Sequence, residues 1–384
     1  MTKEFATRTV HFDRINQENI QSKVTPIYQT TAFTFKDLED LESFYNGERA
    51  YLYSRNGNPN TDELGRAIAQ LEEAQDGVAV SSGLGAILVG VLAVAKSGDH
   101  IVAADDLYGG TIDLFQNELK YFGIEISFAD FSDPSDIEAV IQKNTVLLYS
   151  ESITNPLLRV ENLQKLVELA DKFSLKTMID NTFATPYLVQ PYTLGIDLVI
   201  HSATKYIGGH SDVTAGTVAG SSDLIEKVRR KAVLLGTTLS PFEAWLALRG
   251  VKTLDVRMER QVTNAQKVAD FFRKHAHVAT VYYPEFVSDK GNGAIVTVDF
   301  TGHIDINQFF KALSWVKIIP TLAGVETTVS YPKTTSHRAL TEENRDQLGI
   351  REGLVRISIG LENADDIIEE FDQAITAAKE INDK

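Results

Sequence analysis

Residues 175–211 read LKTMIDNTFATPYLVQPYTLGIDLVIHSATKYIGGHS, and two short apolar runs inside that stretch decide the fold. LKTMID (175–180) stops at Asn181-Thr182, and DLVIH (197–201) stops at Ser202-Ala203-Thr204-Lys205. Runs this short, apolar almost throughout and bounded by polar turn formers, predict strands buried on both faces. Further runs lie at 100–104 (HIVAA), 124–129 (IEISFA), 145–150 (TVLLYS) and 214–219 (TAGTVA). Helical patterns near 110–122, 134–142 and 161–173 separate the earlier ones. The alternation predicts an α/β protein with a mostly parallel sheet covered on both faces.

Outward from that sheet the pattern changes. Residues 240–274 predict one long helical stretch leading to a last domain. Strand patterns there, 294–300 (AIVTVDF) and 354–359 (LVRISI), precede helices at about 305–313 and 364–380. The first 60 residues are polar and rich in turn formers, so they are expected to lie against the body or another subunit. The expected parts are an arm (1–60), a central domain (61–250) and a C-terminal α/β domain (251–384).

A chain of 384 residues with 43% hydrophobic content can bury a sizeable core. Its net charge of −16 argues against nucleic acid, which needs a cationic face. The absence of cysteine removes disulfides, thiolate zinc sites and a catalytic thiol, and fits a reducing compartment. Residues 77–95 (GVAVSSGLGAILVGVLAVA) carry no charge over a length that could span a membrane. Ser81-Ser82-Gly83 divides them, however, into a short strand (Val78 to Val80) and a buried helix starting near Leu84. With no signal-peptide pattern at the start, a soluble cytoplasmic protein is expected.

Ligands of open α/β sheets bind beyond the carboxyl ends of the strands, so those ends carry the candidates. Lys205 follows Ser202 and Thr204, hydroxyls suited to a phosphate, and a partly desolvated amine there suits imine chemistry. A plain surface lysine is the alternative. Asp180 could keep a pyridinium nitrogen protonated, or simply cap the next turn. Ser81-Ser82-Gly83-Leu84-Gly85 offers backbone N–H groups to an anion at a helix start, without the third glycine of a dinucleotide fingerprint. Tyr108 could lie over a planar ring or merely pack. Arg356, inside a β-pattern, is either salt-bridged or awaits a substrate carboxylate. His201 and His210 are expected to be structural, and neither a metal site nor a Ser-His-Asp triad is assigned.

These residues resemble the Cys/Met-metabolism PLP-dependent enzymes of the transsulfuration group. That group includes cystathionine γ-synthase, cystathionine β- and γ-lyases, methionine γ-lyase and the O-acylhomoserine sulfhydrylases. The resemblance spans nearly the whole chain: Tyr53-Ser54-Arg55 with Asn58-Pro59, Ser81-Ser82-Gly83, Tyr108-Gly109-Gly110-Thr111, Asn155-Pro156, the run from Asp180 to Pro186, Asp197 to Ser211, and Arg356 to Gly360. It implies an aspartate-aminotransferase-like (fold type I) architecture and pyridoxal 5′-phosphate (PLP) bound covalently to Lys205. Asp180 would pair with the ring nitrogen and Tyr108 would stack on the ring. Gly83, Leu84, Ser202 and Thr204 would hold the phosphate, joined by Tyr53 and Arg55 of a neighbouring subunit. Asn155 and Arg356 would hold the substrate carboxylate. A homotetramer of active dimers is implied.

The expected reaction is breakage of a carbon–sulfur bond, with cystathionine the leading substrate, by β- or γ-elimination. A γ-synthase or sulfhydrylase is the alternative within the group; a PLP aminotransferase or a non-catalytic PLP-binding protein lies outside it. The departures fall at the substrate end. Thr321 stands where the group usually has serine, and Pro320 where cystathionine-handling γ-enzymes often have glutamate. Gly110 replaces the cysteine typical of methionine γ-lyases, Ile153 a common proline and Asn60 a common threonine. The segment after Tyr283-Pro284 is shorter than usual.

Overall fold

A computed structural model describes residues 3–12, 22–335, 338, 342–347 and 349–379. Its seven-stranded sheet comprises β1 (Asp76–Val80), β2 (His100–Ala104), β3 (Glu125–Ala129), β4 (Thr145–Glu151), β5 (Lys176–Asp180), β6 (Leu198–His201) and β7 (Gly216–Gly220), ordered β1-β7-β6-β5-β4-β2-β3. Pairings from β3 through β6 are parallel, and only β7 runs against its neighbours. The expected mostly parallel sheet is therefore present, with one reversed strand. Met178, Ile179, Leu198, Val199 and Ile200 are fully buried, which is why these strands read as unbroken apolar runs rather than alternating ones.

Residues 77–95 divide as expected. β1 is followed by the helix Gly83–Val94, whose N-cap Ser82 accepts the Gly85 N–H at 3.0 Å. Among the described residues no helix is long and apolar enough to cross a membrane.

A smaller sheet gathers β8 (Val278–Tyr282), β9 (Ile295–Phe300), β10 (Lys317–Ile318), β11 (Thr328–Ser330) and β12 (Leu354–Ser358) in the order β10-β11-β12-β9-β8. Its core is aromatic, with Phe272, Phe309 and Phe371 fully buried. The long helical stretch expected at 240–274 is instead two helices, Pro241–Val251 and Leu254–Lys274. The chain breaks at Lys252-Thr253, where the Thr253 N–H bonds back to Gly250 O and a new helix starts. Apolar periodicity continues across the break, so the pattern alone hides it.

Among the described residues before 60, polar contacts pin the chain to the body. Asn60 accepts the Tyr28 N–H at 2.8 Å and donates to Pro26 O at 2.9 Å, while Trp245 Nε1 donates to Thr25 O at 3.1 Å. Phe5 and Phe12 nonetheless bury themselves in the body's own core. The helix Pro59–Glu72 starts just before Thr61, with Asn58 as its cap.

That helix lies hard against β1. A Cβ on Gly65 would sit 2.5 Å from Gly77 O, and one on Gly77 would sit 2.3 Å from Gly65 O. In an open helix Gly→Ala adds up to ~1 kcal/mol. Here Gly65→Ala is expected to cost about 1–3 kcal/mol through overpacking. A calorimetric unfolding midpoint that stayed level or rose would show that helix and strand have room to separate.

Candidate active site

The carboxyl ends of β4, β5 and β6 open into a cavity of about 460 Å³, closed on the far side by residues 320–322 and Arg356 of β12. Of the residues singled out from sequence, Gly83, Leu84, Tyr108, Asn155, Asp180, Ser202, Thr204, Lys205, Thr321 and Arg356 all line it. Tyr53 and Arg55 do not. They are exposed, with the guanidinium carbon 5.6 Å from the tyrosine ring centre.

Lys205 Nζ donates to Thr321 Oγ1 at 2.7 Å. Burial, with the nearby Arg356 charge, pulls its pKa down to about 8. Arg356 donates from Nη1 to Asn155 Oδ1 at 2.9 Å and from Nη2 to Thr321 O at a long 3.4 Å. Among the described residues both recorded partners are amide oxygens. Burial lowers its pKa to about 10, so it stays cationic at neutral pH. A buried cation held by amides, with no carboxylate on it among the described residues, could take a ligand carboxylate.

Asp180 combines the two roles left open for it. One oxygen caps the following turn, accepting the Thr182 N–H at 2.9 Å and the Thr182 hydroxyl, while the carboxylate faces the cavity. Sequence reasoning missed its partner, Glu151, which ends β4 in register with Asp180. Glu151 Oε1 accepts the Tyr108 N–H at 2.8 Å. Burial raises both acids. Asp180 pushes Glu151 up further, whereas the Thr182 hydrogen bonds and the His201 charge draw Asp180 down. Two carboxyls on adjacent strands do not both ionise cheaply, and the Thr182 hydrogen bonds favour Asp180 as the one to carry charge. The signal for Glu151 was present, since TVLLYS is an apolar strand running into an acid just as LKTMID does.

Beneath this floor His201 Nε2 meets Glu72 Oε1 at 2.7 Å, and Asn181 Nδ2 donates to the same oxygen at 2.9 Å. His210 Nδ1 meets Gly208 O at 2.8 Å. Both histidines are thus hydrogen-bonded within the fold. No group of His, Cys, Asp or Glu among the described residues could hold a metal ion.

An anion fits at the other end. The helix Gly83–Val94 starts at the cavity, with the first N–H groups of its opening turn unused by the helix itself. A Cβ on Gly83 would lie 2.8 Å from Ser202 Cβ, so only glycine lets the helix start meet the Ser202 loop. The Thr204 hydroxyl is partly committed, accepting the Ala215 N–H at 3.0 Å and donating to Ala215 O at 3.2 Å. That last bond is long enough for a phosphate oxygen to compete for the proton. Phosphate donors, a lysine of lowered proton affinity and an acid held by Thr182 therefore surround one cavity, and this donor set fits PLP.

Fold and site together define a PLP-dependent enzyme of fold type I. The chain belongs to the Cys/Met metabolism PLP-dependent enzyme family, whose model matches residues 6–376. It is 38% identical over 383 residues to an L-methionine gamma-lyase of Porphyromonas gingivalis, covering 96% of each chain. It is 37% identical over 380 residues to a cystathionine beta-lyase of Lactococcus lactis subsp. cremoris, covering 96% of this chain and 98% of that one. A crystal structure from Campylobacter jejuni superposes with a TM-score of 0.92 at 30% identity, covering 97% of this chain and 100% of the other. That protein carries N′-pyridoxyl-lysine-5′-monophosphate at its position 205.

The lowered pKa of Lys205 has a measurable consequence. At pH 8 about half of such an amine is the free base, against roughly 0.3% for an ordinary lysine. Capture of PLP by the apoprotein, followed by absorbance at limiting PLP, is expected to rise through a midpoint near pH 8. Since the folded value lies below the unfolded one, the stability cost of burying this amine is full below pH 8 and fades as pH rises toward 10.5. A capture midpoint near 10 would show an amine that water still solvates.

Proposed function

We propose that this protein is a PLP-dependent carbon–sulfur lyase of sulfur amino acids, acting on cystathionine by β- or γ-elimination. The observation that carries the reading is the Lys205–Thr321–Arg356–Asn155 constellation, which sets a proton-accepting amine beside a buried receptor for an α-carboxylate. PLP, held at rest on Lys205 and passed to the substrate amine so that the lysine is freed, would supply an electron sink for the pair released at the substrate α-carbon. Arg356 and Asn155 orient the carboxylate, and Lys205 takes the α-proton. Departure of a β-thiolate needs no further deprotonation; departure of a γ-thiolate needs one at Cβ. Asp180 would keep the ring nitrogen protonated, Tyr108 would cover the ring, and Gly83, Leu84, Ser202 and Thr204 would hold the phosphate. The methionine gamma-lyase and cystathionine beta-lyase relatives support a lyase.

Pro320 in the cavity wall favours one second reading. It offers no acid to a distal substrate amine, which suits joining a thiol to an activated homoserine by γ-replacement. Turnover of cystathionine with identification of every product separates the cases. Homocysteine with pyruvate means β-elimination, and cysteine with 2-oxobutyrate means γ-elimination. The absence of both would remove the lyase reading. Lys205→Ala is expected to cost at least about 10²-fold in turnover while leaving the fold intact. A variant retaining most of its activity would unseat Lys205.

The assembly we propose is a cytoplasmic homotetramer of active dimers, built from an arm (1–60), a PLP-binding domain (61–250) and a C-terminal domain (251–384). The position of Tyr53 and Arg55, exposed and away from their own chain's cavity, supports a role at the phosphate of a neighbouring chain. Mixing inactive Arg55→Ala and Lys205→Ala proteins under subunit exchange is expected to restore activity, because one site of each hybrid dimer is then intact. Exchange without recovery would place Arg55 in its own subunit's site.

A further inference from the structure

The loop that carries Lys205 is clasped from below by a side chain outside the cavity. Arg257 stands in the first turn of the helix Leu254–Lys274 and is almost fully buried. Its Nη1 donates to Tyr206 O at 2.8 Å, and its Nη2 to Gly250 O at 2.8 Å and Ile207 O at 3.4 Å. Its Nε donates to Thr253 Oγ1 at 3.1 Å. Among the described residues no carboxylate pairs with it.

Two features make this an expensive placement. A cation at a helix start opposes the helix dipole, and a buried cation without a counter-ion depends on the dipoles around it. Three carbonyls supply those dipoles, and two belong to the residues directly after Lys205. The backbone has been cleared to allow the contact. A Cβ on Gly209, which sits at φ +71°, would fall 2.1 Å from Arg257 Nη1. One on Gly250 would fall 2.3 Å from Gly208 O. The loop's own bonds, Gly208 N–H to Ala203 O at 2.8 Å and Gly209 N–H to Lys205 O at 2.7 Å, close a tight turn over the guanidinium.

We infer that Arg257 is a positioning residue for Lys205: by gathering the Tyr206, Ile207 and Gly250 carbonyls on one guanidinium, it fixes the lysine loop against the helix that leads into the C-terminal sheet. Thr321 and Arg356 come from that C-terminal part, so the same clasp sets the amine's register against the carboxylate receptor. The inference rests on Lys205 being the cofactor lysine of the proposed function. Its physical content is separate, because Arg257 acts on the loop whether or not cofactor is present.

The test uses Arg257→Met and Arg257→Lys, first as apoproteins. Hydrogen exchange at the Gly208 and Gly209 amides is expected to rise about tenfold or more in Arg257→Met, with β6 amides changed less than about twofold. Arg257→Lys, which keeps a buried donor, is expected to recover part of that protection. In the holoenzyme kcat is expected to fall about 10- to 100-fold with KM within about threefold, because a misplaced amine fails in the proton transfer rather than in binding. Unchanged exchange at both glycines, or an equal rise throughout β6, would overturn the inference. Should Arg257→Met fail to fold, Thr253→Val removes the acceptor of Nε together with the 3.2 Å bond from the Thr253 hydroxyl to Gly250 O, and leaves the guanidinium in place. It is expected to raise the same two amides about threefold, and no local rise would overturn the inference equally. Borohydride reduction and peptide mass spectrometry of wild-type holoenzyme keep the two proposals apart. Cofactor found elsewhere than Lys205 defeats the functional reading, whereas the exchange data alone judge the clasp.

Discussion

The hydrogen bond from Lys205 Nζ to Thr321 Oγ1, at 2.7 Å, ties the end of the main sheet to the smaller C-terminal one. Everything that could hold a substrate depends on that join. Lys205 and Asp180 arrive from β6 and β5, while Thr321 and Arg356 arrive from the loop before β11 and from β12. Neither set forms a site alone. The join also brings two cations close together in a buried place, and burial together with the Arg356 charge lowers the proton affinity of Lys205, the stronger acid of the two. A carboxylate settling on Arg356 would cancel part of that repulsion.

The opposite corner follows the same logic with the sign reversed. Glu151 and Asp180 are neighbours across β4 and β5, and only one can carry charge cheaply. Hydrogen bonds decide which. Thr182 serves Asp180 through both its N–H and its hydroxyl, whereas Glu151 receives the N–H of Tyr108. The bonding favours Asp180 as the acid that carries charge toward the cavity, while Glu151 holds the Tyr108 backbone in place.

Strand ends were legible in the sequence because a strand buried on both faces leaves an uninterrupted apolar run, and the first polar residue after it marks the opening. Lys205, Asp180 and Ser202 were found that way, and Glu151 could have been. The smaller sheet was less legible. β10 has two residues and β11 three, too few to show a period, and β8 is only partly covered. The break at Lys252-Thr253 escaped because helical periodicity persists on both sides of it. Side-chain commitments escaped for another reason. That the Thr204 hydroxyl already serves Ala215, or that Arg257 grips the loop after Lys205, depends on contacts between segments that no local pattern records.

This difference in legibility also explains why the cofactor is easier to read than the substrate. Asp180, Ser202 and Lys205 sit at or just past the ends of strands whose interiors admit no change of volume without cost, so their places are fixed by the core. Pro320, Thr321, Leu322 and Thr335 come instead from connections between short strands, where a substitution alters the cavity wall and disturbs little else. Gly110 is an intermediate case. A Cβ there would lie 2.6 Å from Tyr108 Cε1, so any larger residue must tilt a ring that faces the cavity. Relatives of this chain at 37–38% identity carry names for different substrates, in keeping with a cavity whose wall on that side is built from connections rather than core strands.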